Sequence, residues 1–267
     1  MPESLAVRQA APQRPLYATV VAVRPLAPRM VRITLAGDGL GDFLYAGPDQ
    51  LVRLFLPVGE ELHLPTGSDW WGELQAMPAG LRPVVRNYTV RRIDRARRRI
   101  DVDFVLHGDS GPASAWAGAA VPGDRIGVLS DGARYRADGA DWQLLIGDET
   151  AVPAIASALE GARTPVHTFL EVGDEGDVPD LAGEVNWLHR SGARGSRTVA
   201  ALRGLSFPAG TPYVWVAGES TLATTVRRYL VNERGIDKDR IYFCGYWRET
   251  PAAVRAAATT DREPVAA

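Results

Sequence analysis

The sequence has a single cysteine and a single lysine, Cys244 and Lys238, and no dense cluster of histidines. One thiol cannot build an intramolecular disulfide, a zinc cluster or a cysteine-ligated iron–sulfur centre within the chain. The four histidines, at 63, 107, 167 and 189, are scattered without metal-ligand spacing. An excess of charge is missing too. With 30 basic and 32 acidic residues the net charge is −2, so no nucleic-acid partner is expected. No apolar run reaches the ~20 residues of a membrane span. The opening "MPESLAVRQAAPQRP" lacks an apolar core behind a basic start, so no secretory leader is expected and a cytoplasmic location is the default. There is no internal repeat, and no G-x-S-x-G elbow for hydrolase chemistry.

What is present is an ordinary soluble composition, 46% hydrophobic and 23% charged, over 267 residues. That length suffices for two domains, each with its own core. The first half reads as β. The stretches 17–26, 30–37, 49–57, 84–93, 98–107 and 121–130 are rich in β-branched residues and separated by Pro, Gly and Asp turns. Residues 58–83, carrying "GSDWWGELQ", read as a long insertion or lid, and "GPASAWAGAA" (111–120) as one short helix with Pro112 in its first turn. Six strands with little helix predict a small antiparallel barrel over 1–137. The pattern changes near residue 138. Apolar strands at 142–148, 166–172, 184–190, 213–219 and 240–247 join helices at 150–162 and 221–235, which predicts a parallel-sheet α/β domain over 138–267. The last residues, 252–267, are weakly patterned and expected to fray.

Four stretches carry chemistry. In "VVRNYTVRR" (84–92) strand alternation places Arg86, Tyr88 and Val90 on one side, with Asn87 and Thr89 on the other. A solvated arginine and a half-buried tyrosine on an edge strand would look the same. In "LLIGDETAVPAI", Gly147, Asp148, Glu149 and Thr150 lie where a parallel strand passes into a helix, and "VWVAGESTL" repeats this with Gly218 and Glu219. Such crevices beyond strand C-termini suit a nicotinamide dinucleotide, although ordinary capping, by Thr150 in one case and Ser220 or Thr221 in the other, accounts for them equally. In "DFVLHGDSGPASAWA" a strand delivers His107 to a Gly-rich turn, and Ala113 and Ser114 open a helix that a pyrophosphate could approach. A buried, satisfied His107 is the plainer reading of that residue. Finally "FCGYWRE" sets Tyr246, Trp247 and Arg248 after the last strand, facing the barrel. A barrel joined to a dinucleotide-type sheet, without an acid–base set, fits an enzyme whose cofactor carries the reaction.

The order of "RNYTV", "DFVLHGDSGPASAWA", "PGD", "LLIGDETAVPAI", "VWVAGEST" and "GYWR" resembles the siderophore-interacting protein family over about residues 15–250. That family comprises FAD-dependent ferric-siderophore reductases of the ferredoxin reductase-like superfamily. The resemblance implies a six-stranded antiparallel FAD domain (1–137) and an α/β NAD(P)H domain (138–267). By it, Arg86 pairs with the FAD pyrophosphate, Tyr88 packs on the isoalloxazine, and Thr89, with Asn87 beside it, bonds near N5. Asp103, Phe104, Val105, Leu106 and His107 line the ribityl and diphosphate, Ala113 and Ser114 form the phosphate turn, and Gly245, Tyr246 and Trp247 close over the flavin. Asp148, Glu149, Thr150, Gly218 and Glu219 face NADH or NADPH. The substrate is an expected anionic ferric siderophore, met by Arg53, Arg248 and, more weakly because "SDGARY" departs from the family's Gly-Pro-rich turn, Arg134. No protein metal ligand and no acid–base residue is expected, since the siderophore holds the iron. Glu171 and the acids after it favour NADH; Arg190, Arg194 and Arg197 oppose them, and the balance leans to NADH. The siderophore type is not legible, and a monomer is the default. Two rivals stand beside this reading, a general flavin or ferredoxin-type reductase and a flavin-free siderophore carrier.

Overall fold

A computed structural model describes residues 14–43, 45–107, 111–173 and 179–249. The Gly-rich turn at 108–110 and the tail at 252–267 lie outside the described residues. Six strands, β1 (Leu16–Ala27), β2 (Met30–Ala36), β3 (Leu51–Leu56), β4 (Val84–Asp94), β5 (Arg99–Val105) and β6 (Arg125–Gly132), close a barrel in the order β1-β2-β5-β4-β3-β6. All its pairings are antiparallel. Alternation explains the closure. In "VRITL" Ile33 and Leu35 turn into the barrel and are fully buried, while Arg32 and Thr34 take the other face. There they meet their register partners on β5: Arg32 forks onto Asp103 at 2.6 and 2.8 Å, and Thr34 donates to Asp101 at 2.7 Å. Each buried Leu or Ile contributes roughly 1.5–3 kcal/mol by leaving water. Helix α2 (Pro112–Ala119) plugs the barrel, adding Ala113 and Ala117 to its core.

The insertion between β3 and β4 is less open than a lid. It contains a helix, α1 (Trp70–Ala76), whose Leu74 packs with Leu64, Phe55 and Leu129 on the outside of the barrel. The signal was local: the Asp69 carboxylate accepts the Gly72 N–H, and Glu73 reaches back to the amides of Thr66 and Gly67.

The second half contains β7 (Trp142–Asp148), α3 (Val152–Gly161), β8 (Val166–Val172), β9 (Asn186–His189), α4 (Ser196–Gly204), β10 (Pro212–Glu219), α5 (Ser220–Asn232) and β11 (Ile241–Trp247). Its five strands are parallel in the order β11-β10-β7-β8-β9. Helices α4 and α5 cover one face of the sheet, with Leu202, Leu222 and Val226 against Leu144, Ile146 and Val216. The other face packs on α3 and on barrel residues Met30 and Val105. Helix α4 falls between the predicted strands at 184–190 and 213–219, where no element was expected, and β9 is shorter than its predicted span.

Polar side chains tie the halves together. Asp49 accepts the amides of Arg134 and Tyr135 at 2.9 Å and the Trp215 indole at 3.1 Å. Arg91 on β4 forks onto Glu160 of α3 at 2.9 and 2.6 Å, and Ser157 donates to the Arg91 carbonyl. None of the described helices is long and apolar enough to cross a membrane.

Candidate functional site

The strand β4 motif lies open beside the second domain. Register places Tyr88 opposite Val52 and Arg86 opposite Leu54, while Asn87 faces Arg53 and Thr89 faces Leu51. The Arg86–Tyr88 side is therefore the barrel-core side at its rim, and the Asn87–Thr89 side is the outer face. Arg86 is exposed, and its guanidinium donates to its own neighbour's carbonyl, at Val85, at 2.8 Å. Tyr88 is half-buried with its ring 4.3 Å from Phe104. Burial pushes the Tyr88 phenol up to about 12, and nearby Arg86 pulls the other way, so the ring stays neutral with a cation beside it. Thr89 is buried, and its side chain is near enough to the Tyr246 phenol of β11 to act on it. Tyr246 keeps 38% of its surface open. Its hydroxyl is nevertheless enclosed, and that loss of hydration, followed by Asp49 and Tyr242, raises its pKa well above the usual tyrosine range. Residues from both domains thus converge at Thr89.

The next predicted group divides. Asp103 is committed to Arg32, and Phe104 is wholly within the barrel core, so neither side chain is offered to a ligand. Strand β5 ends at Val105, short of the predicted delivery of His107. His107 is exposed, not the buried and satisfied residue that the plainer reading expected, and its amide donates to Ser114 Oγ at 2.9 Å. That bond occupies the Ser114 hydroxyl, which is 3% exposed, as an acceptor. Val105 and Leu106 are half-buried. The start of α2 is different. Its cap residue Gly111 makes no side-chain capping bond, Pro112 and Ala113 bring only small groups, and no carboxylate or hydroxyl among the described residues caps its first amides. An exposed guanidinium, an aromatic platform and a helix start lined by small residues fit a flavin dinucleotide's phosphates and ring system.

The carboxyl edge of the parallel sheet is arranged otherwise. Asp148 is fully buried. Its Oδ1 accepts the Thr150 amide at 2.9 Å and the Thr150 hydroxyl, and its Oδ2 accepts the Glu219 amide at 2.7 Å and the Trp247 indole at 2.9 Å. Burial, then the adjacent Glu149 carboxylate, raise its pKa. Asp148, not Thr150, is the cap. In the second switch the cap is Glu219, 1% exposed, which accepts the amides of Thr221 and Leu222, while Ser220 donates to the Trp247 carbonyl. Gly218 has φ +137°, and a Cβ there would lie 2.7 Å from Asp148 Cγ. The side chains of Asp148 and Glu219 are therefore structural, which leaves Glu149, Thr150 and the backbone as the partly open groups at this edge. Glu149 itself accepts from Arg190 at 2.6 Å. Glu171, the acid that leaned the nucleotide reading to NADH, is fully buried and holds the start of α4, accepting the Gly195 amide and the Thr198 hydroxyl. It faces inward and offers nothing to a ribose. Arg194 lies over the Trp247 ring at 4.6 Å and forks onto Glu249, and Arg197 is exposed on the first turn of α4.

Of the three predicted substrate arginines, Arg53 shares the outer face with Asn87 and Thr89. It is ion-paired with Asp131 and sits 5.4 Å over the Trp70 ring. Arg134 is exposed and close enough to Tyr242 to act on its phenol; Arg248 is exposed just beyond β11. The sequence reading missed Trp70. Its place after Asp69, a capping residue, was the available signal. A cleft of about 420 Å³ opens elsewhere on the domain seam, along Pro48, Tyr135, Asp138, Gln143, Arg163 and Thr164, and contains none of the predicted flavin residues. Among the described residues no cluster of His, Cys, Asp and Glu could hold a metal ion.

A siderophore-interacting FAD-binding domain model matches residues 19–135, and a siderophore-interacting protein model matches residues 140–250. The chain belongs to the siderophore-interacting protein family. The chain is 32% identical over 231 residues to the ferric vibriobactin reductase of Vibrio cholerae, across 82% of this chain and 84% of that protein. It is 29% identical to the NADPH-dependent ferric-chelate reductase of Escherichia coli, across 86% and 91%. A siderophore utilization protein from T. fusca superposes with a TM-score of 0.80 at 36% identity, covering 92% of this chain and 97% of that one. The family's two models divide the chain between the barrel and the parallel sheet described above.

Proposed function

We propose that this chain is a ferric-siderophore reductase, working as a monomer in the cytoplasm, with residues 1–137 as its FAD domain and 138–267 as its NAD(P)H domain. The observation that carries the reading is the convergence at Thr89: an exposed Arg86, a neutral Tyr88 ring and, from the other domain, Tyr246 surround one edge of β4. The relatives' activities support the same class. FAD, when bound, supplies a centre that accepts a hydride from a reduced nicotinamide and yields single electrons to ferric iron. Arg86 and the start of α2 hold its phosphates, by charge-assisted hydrogen bonds and by helix-start amides. Tyr88 supports the ring, and Thr89 with Tyr246 borders its reactive edge. The nicotinamide nucleotide lies beyond β7 and β10, against Glu149, Thr150 and the Gly218 backbone. With Glu171 turned inward, the acid that weighed towards NADH is withdrawn, and both nucleotides are to be tested. Ferrous iron then leaves the siderophore's hard oxygen ligands more readily than ferric iron does. The chain needs no metal ligand of its own for this step.

The experiment is an anaerobic visible titration of the FAD-reconstituted protein with NADH or NADPH, followed by a ferric siderophore. Bleaching of the flavin band by a nucleotide and its return on adding the ferric complex is the expected result. Absence of any flavin band after reconstitution would overturn the reading in favour of a flavin-free carrier. Fast reoxidation by a ferredoxin alone would favour an electron-transfer reductase. Arg86→Ala is expected to weaken FAD binding by about 10–100-fold, the size of a lost hydrogen bond to a charged group.

A further inference from the structure

The outer face of β3–β4 forms a trough whose two ends are visible in the register. Its successive rungs are Leu51 opposite Thr89, Arg53 opposite Asn87, and Phe55 opposite Val85. Tyr246, its ring edge-on to Trp215 and 38% exposed, stands near the first rung beside Thr89. Trp70 closes the third, standing edge-on to Phe55 at 5.6 Å. The ends lie four residue steps apart along each strand, about 13 Å at the usual rise, which leaves the middle rung as the floor for one compact chelate.

That floor carries little net charge. Arg53 is ion-paired with Asp131, and its guanidinium lies over Trp70 at 5.4 Å. Charge alone is therefore a weak reason for an anion to settle there, because a ligand would have to compete with a carboxylate already in place. The aromatic wall is the stronger feature. Trp71 stands edge-to-face with Trp70 at 5.5 Å and is 55% exposed. This exposure is held, not incidental to a loose loop. Asp69 and Glu73 tie the loop to α1, Leu74 anchors it in a buried cluster, and Arg82 donates to the carbonyls of Gln75 and Met77.

We infer that this trough seats the ferric complex, and that Trp70 and Trp71 select complexes whose iron is wrapped by aromatic groups, of catecholate or phenolate type, over hydroxamates. The inference rests on the reductase reading and adds the substrate class. Two indoles offer rings that arenes meet edge-on or offset, whereas a hydroxamate shell presents no such partner. Arg53 and Asn87 complete the floor with donors towards the ligand oxygens.

The test uses redox-inert gallium(III) chelates, one hexadentate tris-catecholate and one hexadentate tris-hydroxamate, titrated against FAD-reconstituted protein by equilibrium dialysis. Wild type is expected to bind the tris-catecholate more tightly. Trp71→Ala should weaken that binding about tenfold, with the hydroxamate within twofold of wild type, and Trp71→Phe should restore most of the loss. Flavin content serves as the folding control. An unchanged tris-catecholate affinity in Trp71→Ala, or an equal loss for both chelates, would overturn the selectivity while leaving the reductase reading intact. A wild type that binds neither chelate, and whose reduced flavin is not reoxidised by their ferric forms, would remove the reductase reading along with it.

Discussion

The two edges that meet at the domain boundary spend their charged residues in opposite ways. On the barrel side Arg86 is exposed and bonds the adjacent backbone, and among the described residues no side chain caps the start of α2. On the sheet side three carboxylates, Asp148, Glu171 and Glu219, are essentially without exposure, and each is satisfied by helix-start amides or hydroxyls. The first edge leaves cation and donors for a ligand. The second uses its acids to hold three helix starts at the strand ends, leaving mainly backbone for a nucleotide. The lesson is that an acid at a strand terminus in an α/β sheet is a structural cap until its accessibility shows otherwise.

The sharpest way to break this contrast is to truncate one residue from each edge. Asp148→Ala removes the acceptor for four donors on three elements, so a loss of about 3–5 kcal/mol in unfolding free energy is expected. Arg86→Ala should leave apoprotein stability within about 0.5 kcal/mol and act on FAD retention alone. Urea unfolding followed by circular dichroism compares the two. A mild Asp148→Ala would mean that the sheet edge is held by packing and not by its carboxylate.

Gly218→Ala probes the same edge through the backbone. At φ +137° an alanine is strained, and its Cβ would press on Asp148. The expected loss is about 1–3 kcal/mol. Stability unchanged by this substitution would show that Asp148 can shift without cost, which its four hydrogen bonds argue against.

The same contrast explains which parts of the molecule were legible in its sequence. Barrel strands announce themselves by alternation, as in "VRITL", and the parallel strands by unbroken apolar runs such as "WQLLIGD". The β4 strand was legible because its alternating residues need no distant partner to declare it. Helix α4 was not, because its cap comes from Glu171, 24 residues before Gly195, and no local signal records a tertiary cap. The support that Glu171 lent to NADH is withdrawn for the same reason: the side chain is present at the expected strand end but is buried against the start of α4. Asp103 gave a similar result. Its partner Arg32 is 71 residues away, and only the β2–β5 register brings them together. Helix α1 could have been found, since Asp69 and Glu73 stand where a cap and a first-turn acid belong.

The smallest expected effect concerns the join between the two halves. Arg91 and Arg92 on β4 both donate to Glu160 of α3, and the Arg91 side chain is 7% exposed. Hydrogen bonding from Arg91, then from Arg92, lowers the Glu160 pKa from 4.5 to about 2, burial acting against them. A carboxylate depressed on folding stabilises fully above its unfolded value. Its contribution is therefore present above about pH 4.5 and declines as pH falls towards 2. Glu160 is itself 38% exposed, so solvent screening reduces the effect to about 1 kcal/mol. Glu160→Gln should lower the thermal midpoint slightly at pH 7 and flatten its dependence between pH 4.5 and 2, where wild type loses this contribution. Equal slopes for the two proteins across that window would mean that the halves are held by Asp49 and the apolar seam, with the arginine fork adding geometry rather than stability.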